Sequence, residues 1–332
     1  MGRLITKTKK IFKEHPIKII LAALCILSFI GITVWHSSAP VPIRNWNQKE
    51  LSRITVADPN NYSFAVMGDN KGNRSVFEPL LRDIDQDKEI AFALDVGDLV
   101  RKGKVGLYRR FLSQVQGNLA IPFLTVIGNH DLNNFGSHKN YQEIFGPTYY
   151  SFQVGKSYFI VLDAITQAGF DKAERQWLEQ ELQKGRTAKA RFVFMHVPPF
   201  EARGGTYHKS LPDKDQKDLL DLFRRYKVTH LFASHLHGFF SGVQAGVPYT
   251  ITGGAGGSLQ GKDPEHFFYH YVKVNVKNGK ADIMVRRIAA ENSMAYFFDL
   301  VEDYVFQWSF LAAACLLLLS IGLSMMRSRR SI

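Results

Sequence analysis

The feature that most constrains the fold of this chain is a series of apolar runs of strand length between residues 62 and 287. The runs are rich in Val, Ile, Phe and Tyr, which favour β-strands. In the first half of the series they alternate with stretches that carry apolar residues at helical spacing. Because alternating strands and helices build layered sheets, we predict an α/β domain with helices outside two sheets. The predicted strands are Tyr62–Met67, Ile90–Val96, Ile121–Ile127, Tyr149–Val154, Tyr158–Leu162, Arg191–Met195, Val228–Ala233, Val247–Ile251, Phe267–Val276 and Ala281–Arg287, and the predicted helices are Ser75–Asp87, Leu107–Gln116, Lys172–Lys184 and Asp213–Tyr226.

Composition excludes several classes of protein. Of the 332 residues 45% are hydrophobic and 22% are charged, so the chain has enough apolar material for a core and no signature of disorder. Its two cysteines, Cys25 and Cys315, lie in apolar runs far apart in sequence, which excludes a disulfide framework, a zinc finger and a CxxC redox motif.

Two stretches near the ends of the chain lack charged residues. They run from Ile19 to Trp35 and from Tyr304 to Met326, and each is long enough to cross a bilayer as a helix. Basic residues flank both stretches on their outer sides, which predicts cytoplasmic termini and an extracytoplasmic domain. For the first stretch, a cleaved signal peptide is the alternative to an uncleaved anchor.

These stretches define the predicted organisation of the chain. Most of the formal net charge of +12 lies in the terminal tails, so the folded part lacks the basic stripe that nucleic-acid binding requires, and no nucleic acid is expected. The predicted segments are a basic tail (1–18), a transmembrane helix (19–36), a Pro- and Asn-rich tether (37–60), the folded domain (61–290), a linker (291–303), a second transmembrane helix (304–326) and a basic tail (327–332).

Five short segments place metal-ligand residue types directly after an apolar run. Ligand-binding groups gather at the carboxyl ends of strands in α/β folds, so the five segments are expected at one edge. A two-metal hydrolase needs oxygen and imidazole ligands around ions roughly 3.5–4 Å apart. The segments are Gly68-Asp69-Asn70, Gly97-Asp98-Leu99-Val100, Gly128-Asn129-His130-Asp131, His196-Val197-Pro198-Pro199 and Ser234-His235-Leu236-His237, and the candidate ligands are Asp69, Asp98, Asn129, His196, His235 and His237.

The order of these segments resembles the calcineurin-like metallophosphoesterase superfamily, whose motifs are D-x-H, GDxxD, GNH[D/E], an isolated His and GHxH. The resemblance covers about residues 62–288. It implies a four-layer α/β/β/α sandwich with two central mixed sheets and a binuclear site. It also implies that Asp98 bridges two ions, that Asn129, His196 and His235 complete one site, and that Asp69 and His237 contribute to the other. His130 would be the general acid, and Asp131 would orient it.

The chain departs from the family pattern at three places. Lys71 stands where the family often has a His ligand, and an ammonium group cannot ligate a cation. Arg101 stands where purple-acid-phosphatase-like members have a tyrosine, and Ser234 replaces the usual glycine before His-x-His. Lys71 and Arg101 are either surface cations or hold a phosphate oxygen. The run Gly253–Gly257 resembles a late glycine-rich turn of the purple-acid-phosphatase-like branch and is either a flexible turn or part of the substrate cleft.

The remaining histidines are expected to serve packing or surface roles. They are His138, His208, His230, His266 and His270, and of these His208 is also a candidate substrate-binding residue.

The function expected from these features is hydrolysis of a phosphomonoester or phosphodiester by attack of a metal-bound hydroxide. Two divalent ions are expected, with Mn, Fe, Zn and Ni all compatible with mixed His, Asp and Asn ligands. A membrane location suggests a lipid head group or an envelope glycan phosphate as substrate. The alternatives are a phosphate-recognising module with an incomplete metal site and a membrane-anchored protein phosphatase.

Overall fold

Eleven strands in the described part of the chain form the two predicted mixed sheets, one strand more than the ten predicted. The structure is a computed structural model that describes residues 15–38, 43–165, 171–203, 210–291, 294, 297 and 306–330. The first sheet has the order β11-β10-β1-β2-β3, and the second has the order β4-β5-β6-β7-β9-β8. The strands are β1 (Asn61–Met67), β2 (Ile90–Asp95), β3 (Phe123–Thr125), β4 (Tyr150–Val154), β5 (Ser157–Val161), β6 (Ala190–Phe194), β7 (His230–Ala233), β8 (Phe239–Gln244), β9 (Val247–Thr252), β10 (His270–Lys277) and β11 (Lys280–Arg287).

The strands that precede the candidate ligands are neighbours. In the first sheet β1, β2 and β3 are parallel, and in the second β6 lies parallel to β7. Eight α-helices are described: α1 (Pro16–Ser38), α2 (Trp46–Leu51), α3 (Arg74–Gln86), α4 (Val105–Asn118), α5 (Lys139–Phe145), α6 (Lys172–Lys184), α7 (Asp213–Arg225) and α8 (Phe306–Arg330). The four predicted helices correspond to α3, α4, α6 and α7.

Three clusters of buried side chains separate four layers. One cluster joins the first sheet to α3 and α4, with Phe77 and Phe111 at its centre. A second joins the other sheet to α6 and α7, and includes Leu178 and Phe223. The third lies between the sheets and is built around Phe64, whose ring contacts five other phenylalanine rings. This order of helices, sheet, sheet and helices is the predicted sandwich.

The segment predicted as a tether contains a docked helix. Side chains of α2 bond to the backbone of the edge strand β3: Trp46 Nε1 donates to Phe123 O over 2.7 Å, and Asn47 Oδ1 accepts from Thr125 N over 3.0 Å. The Glu50 carboxylate accepts from Phe123 N over 3.1 Å. Such contacts occupy backbone groups that an edge strand would otherwise expose.

The chain divides into two units, one of residues Pro40–Ser293 and one of Met1–Ala39 with Met294–Ile332. Within the second unit α1 and α8 pack on each other, with the rings of Phe29 and Trp308 5.6 Å apart.

The predicted two-span membrane topology is wrong for this structure. Across the described residues, no helix combines the length and the apolar character needed to cross a membrane. The transmembrane helices, and the extracytoplasmic placement derived from them, are therefore withdrawn.

Candidate metal centre

The two sheets bring the five predicted segments to one edge. Asp69, Asp98 and Asn129 follow β1, β2 and β3, while His196 and His235 follow β6 and β7. Ligand atoms of Asp69, Asp98 and His196 all lie within 4.8 Å of one another. The approach is close because Gly97, with φ of +101°, has no side chain. A Cβ at this position would lie 2.7 Å from His196 Nδ1.

The His196 side chain carries the clearest sign of a cation site. It is fully buried, and its Nδ1 lies 3.0 Å from Val96 O, which can only accept, so Nδ1 carries the proton in the neutral ring. The lone pair on Nε2 then faces Asp98 Oδ1 at 3.3 Å and Asn129 Oδ1 at 3.0 Å. His235 Nδ1 lies 3.3 Å from the same Nε2. Acceptors that converge in this way repel one another unless a cation lies among them, so these residues fit a divalent metal ion.

A second group forms around Asp69. Its Oδ2 accepts hydrogen bonds from Ser234 Oγ and, over 2.7 Å, from His235 N. Its Oδ1 is buried without a hydrogen bond and lies 3.0 Å from His237 Nε2. Since His237 Nδ1 contacts Ser258 O at 2.6 Å, Nε2 is the atom available to a proton or a metal ion. The orphaned carboxylate oxygen beside an imidazole therefore also fits a cation.

The charges in this second group shift two pKa values. Burial alone would raise the pKa of Asp69, but the adjacent His237, with His196 and Lys71, holds it well below its usual range. Burial alone would lower the pKa of His237, but the charge of Asp69 outweighs burial and raises it. Both shifts favour a negative carboxylate facing a positive group.

Lys71 lies inside this group. Its Nζ is 3.3 Å from Asp98 Oδ2 and 3.9 Å from Asp69 Oδ1, and its side chain is 15% exposed. The Lys71 ammonium therefore lies beside two candidate ligands, and its contact with a phosphate oxygen stays a prediction. Arg101 instead contributes its carbonyl oxygen, which lies 3.0 Å from His130 Nδ1.

Four of the six candidate ligands have left-handed backbone. The φ angles are 58° at Asp69, 60° at Asp98, 69° at His235 and 40° at His237, and Lys71 is also left-handed at 51°. Non-glycine residues rarely adopt this conformation, and where they do it clusters at functional sites.

Asp131 does not contact His130, and the predicted orienting contact is wrong. The Asp131 carboxylate is buried and accepts from the backbone N–H groups of Asp98 and Gly128 over 2.9 and 2.8 Å, with longer contacts to Leu99 and Val100. Burial and the charge of Asp98 raise the pKa of Asp131 well above its usual range. Asp131 thus fixes the loop that carries Asp98.

His130 is held by backbone contacts. Its N–H donates to Asp98 Oδ1 over 2.8 Å, and its Nδ1 faces the Arg101 carbonyl. Its Nε2 lies 3.9 Å from Asp98 Oδ2, and the side chain is 42% exposed. The imidazole therefore reaches both solvent and the candidate centre, as proton transfer requires.

Two supporting residues had no predicted role. Asp95, at the end of β2, is fully buried and accepts from Asn70 Nδ2 over 2.7 Å and from Gly97 N over 3.0 Å. Burial raises the pKa of Asp95 well above its usual range, against the hydrogen bond from Asn70. The hydrogen bond between Asp95 and Asn70 connects the loop that carries Asp69 to the loop that carries Asp98. The polar residue Asp95 closing an apolar strand was a signal of this role in the sequence.

The glycine-rich run Gly253–Gly257 packs against the Asp69 loop. Ala255 N and Gly257 N donate to the carbonyl oxygens of Gly68 and Asp69, over 3.0 and 2.6 Å. A Cβ on Gly257 would lie 2.9 Å from Asp69 O and 3.0 Å from His237 Cε1. Those N–H groups serve the fold, and the run is a supporting turn.

The remaining histidines lie elsewhere. Burial lowers the pKa of His230 and of His270 to about 4, and both bond to threonine hydroxyls in the sheet. His266 stacks on Phe240, while His138 Nε2 lies 3.3 Å from Asp163 Oδ2. The substrate-binding prediction for His208 falls outside the described residues.

Comparison with known families decides the classification. The family model described as calcineurin-like phosphoesterase matches residues 62–239, more than half of the chain. The chain belongs to the calcineurin-like phosphoesterase family. All five ligand-bearing segments, from Gly68 to His237, fall within the matched residues.

The relatives of this chain have names that state different activities. The serine/threonine-protein phosphatase CPPED1 of Homo sapiens is 30% identical over 159 residues, which are 44% of this chain and 50% of the relative. A probable cyclic nucleotide phosphodiesterase of Rhodopseudomonas palustris is 29% identical over 181 residues, 50% of this chain and 64% of the relative. The chain thus spans about half the length of the phosphatase relative.

Solved structures agree on the fold of this calcineurin-like phosphoesterase. Purple acid phosphatase PPD1 from yellow lupin seeds superposes with a TM-score of 0.57 at 16% sequence identity. The superposition covers 71% of this chain and 55% of the lupin protein. At this identity the likeness concerns the fold alone.

Proposed function

We propose that this chain is a metal-dependent phosphoesterase, a hydrolase of the EC 3.1 class that cleaves a phosphomonoester or a phosphodiester. The observation that carries the proposal is the convergence on His196 Nε2 of acceptor atoms that would bind a cation placed among them. Family membership supports it, because the residues that converge all lie within the range that matches the family model.

The finer part of the proposal is a two-cation centre. Asp98 would be its shared ligand, since Oδ1 faces His196 and Oδ2 faces the side of Lys71. Asn129, His196 and His235 would complete one position, and Asp69 with His237 would form the other. The donor set of carboxylate, amide oxygen and imidazole is compatible with Mn, Fe, Zn or Ni.

The residues of the candidate centre would have two roles: the ligands would bind the ions, and His130 would transfer a proton. Divalent ions held there would neutralise the phosphoryl oxygens and lower the pKa of the attacking water. His130 keeps a proton on Nδ1 toward the Arg101 carbonyl, so Nε2 is the atom that gains and releases a proton. An imidazolium at that position protonates the leaving oxygen as the ester bond breaks.

This chemistry sets the proposed substrate class, which is a phosphate ester. The names of the relatives include both a protein phosphatase and a phosphodiesterase. The lipid head group and the envelope glycan phosphate depended on a membrane location, and they lose that support with the predicted topology.

The test is hydrolysis of p-nitrophenyl phosphate and bis-p-nitrophenyl phosphate by the full chain, with and without Mn²⁺. We expect metal-dependent turnover that each of two substitutions reduces by at least about 10³-fold. Asp98→Asn removes the negative charge and one of the two oxygens of the shared carboxylate, and His196→Ala removes an imidazole ligand. Matched controls are Asp282→Asn on β11 and His266→Ala, which lie outside the centre. Wild-type turnover in Asp98→Asn would contradict the proposal, and the preferred ester would separate monoesterase from diesterase.

A further inference from the structure

Lys71 takes up ligand atoms that the second cation needs. Its Nζ lies 3.3 Å from Asp98 Oδ2 and 3.9 Å from Asp69 Oδ1. Asp98 Oδ1 faces His196 and Asp69 Oδ2 accepts from His235 N, so Asp98 Oδ2 and Asp69 Oδ1 are the oxygens that face the second position. Besides Lys71, Asp69 Oδ1 lies 3.0 Å from His237 Nε2 and Asp98 Oδ2 lies 3.9 Å from His130 Nε2. An ion bound through these two oxygens would share both with the ammonium.

The backbone keeps the ammonium in this place. Lys71 N donates to the carbonyl oxygen of Asp98 over 2.9 Å, so the residue is attached to the loop that carries the bridging carboxylate. The next residue is also fixed, since Gly72 N donates to Asn70 Oδ1 over 2.8 Å. With its side chain 15% exposed, Lys71 is enclosed in the centre rather than free in solvent.

The other cation position meets no such charge among the described residues. There His196 Nε2 faces Asp98 Oδ1 and Asn129 Oδ1, all with lone pairs, and His235 Nδ1 lies close by. The two sides of Asp98 are therefore unlike: Oδ1 faces neutral ligands and Oδ2 faces a cation. Like charges that share ligands in a buried, low-dielectric site oppose each other strongly.

We propose that Lys71 makes the two cation positions unequal, so that the chain binds one ion tightly at His196, while a second ion binds at Asp69 and His237 only by displacing the ammonium. The inference rests on the proposed metal centre and adds a departure specific to this chain. It implies a centre that holds one ion and one ammonium when metal is scarce.

The experiment is titration of the chelator-treated full chain with Mn²⁺, counting free ions by electron paramagnetic resonance. In the wild type we expect the dissociation constant of the second ion to exceed that of the first by at least about tenfold, because of the repulsion by Lys71. Lys71→Met should reduce that ratio, since it removes the charge. Lys71→His should yield two tightly bound ions with a spin-coupled signal, since it adds a ligand.

The control is Lys102→Met, which removes an exposed ammonium near the same loops and should leave the ratio unchanged. Circular dichroism verifies folding, and Lys71→Met decides the question if Lys71→His does not fold. Two equally tight ions in the wild type, or an unchanged ratio in Lys71→Met, would overturn the inference while leaving ester hydrolysis standing. Binding of no Mn²⁺ by the wild type would overturn both this inference and the metal-dependent function.

Discussion

At the scale of single residues, His130 offers the sharpest test of mechanism. His130→Ala should lower kcat for an alkyl phosphate by about 10²–10⁴-fold, because the leaving alkoxide loses its proton donor. The loss should be much smaller for p-nitrophenyl phosphate, since that leaving group departs without a proton. Mn²⁺ affinity should hardly change, because the backbone N–H that bonds to Asp98 Oδ1 remains. Equal losses on the two substrates would show that His130 is not the general acid.

Asp131 shows why part of the site could not be predicted. The residue types and their order were enough to gather Asp69, Asp98, Asn129, His196 and His235 at one edge. The direction in which the Asp131 side chain points could not be inferred from its position next to His130 in the sequence. A turn of 3₁₀-helix over Asn129–Asp131 points the two side chains apart, and the Asp131 carboxylate meets the N–H groups after Gly97. The proton partner of His130 is a backbone carbonyl, which no side-chain pattern encodes.

At the scale of elements, the turn after β3 depends on Gly128. A Cβ at this position would overlap the backbone N and the Oδ1 atom of Asp98. We therefore expect Gly128→Ala to weaken Mn²⁺ binding by at least about tenfold, through displacement of the shared ligand. Gly117→Ala in α4 is the matched control, because a Cβ there meets nothing within 4 Å and alanine favours a helix. Isothermal titration calorimetry measures both, and unaltered affinity in Gly128→Ala would refute this role.

The first turn of α6 carries a pH-dependent contribution to stability through Glu174. Burial raises the pKa of Glu174 from 4.5 to about 8, although its carboxylate accepts from Asp163 N over 2.7 Å. Above pH 4.5 the unfolded chain releases this proton while the folded chain keeps it, so the free energy of unfolding falls as pH rises toward 8. The raised pKa of His138, caused by Asp163, acts in the same direction.

Glu174→Gln should flatten that dependence, by on the order of 3 kcal/mol between pH 5 and 8, because glutamine keeps the acceptor oxygen and does not ionise. Urea denaturation at several pH values measures it. The exposed Glu179→Gln on the same helix serves as control. An equally steep pH dependence in Glu174→Gln would contradict the assignment.

Element prediction succeeded for strands and helices with a clear apolar pattern and missed elements that lack one. The predicted bounds of α6 match the structure, and β1 starts one residue earlier than predicted. Strand β8 was missed because Ser241, Gly242 and Val243 are exposed, so it has no apolar run. The helices α2 and α5 have six and seven residues, which is too short for helical periodicity to appear in a sequence.

At the scale of the whole molecule, the core between the sheets holds the two halves of the candidate centre together. Phe64→Ala should lower the free energy of unfolding by about 3–5 kcal/mol, because it opens a cavity among five aromatic neighbours. Mn²⁺ affinity should fall as well, since Asp98 lies on one sheet and His196 on the other. Phe135→Ala is the control, because Phe135 is 93% exposed. A folded Phe64→Ala protein with full Mn²⁺ affinity would exclude this dependence.

The left-handed backbone at four candidate ligands affects which amino-acid substitutions natural selection would retain at these positions. Each non-glycine residue in that conformation costs the folded state on the order of 1 kcal/mol, and glycine would remove the cost together with the ligand. A substitution of glycine for Asp69 or His235 would therefore remove the backbone cost from the folded state. Only selection for activity would oppose such a substitution. Were that selection relaxed, the metal centre would be among the first parts of this fold to disappear, while the sandwich around it remained.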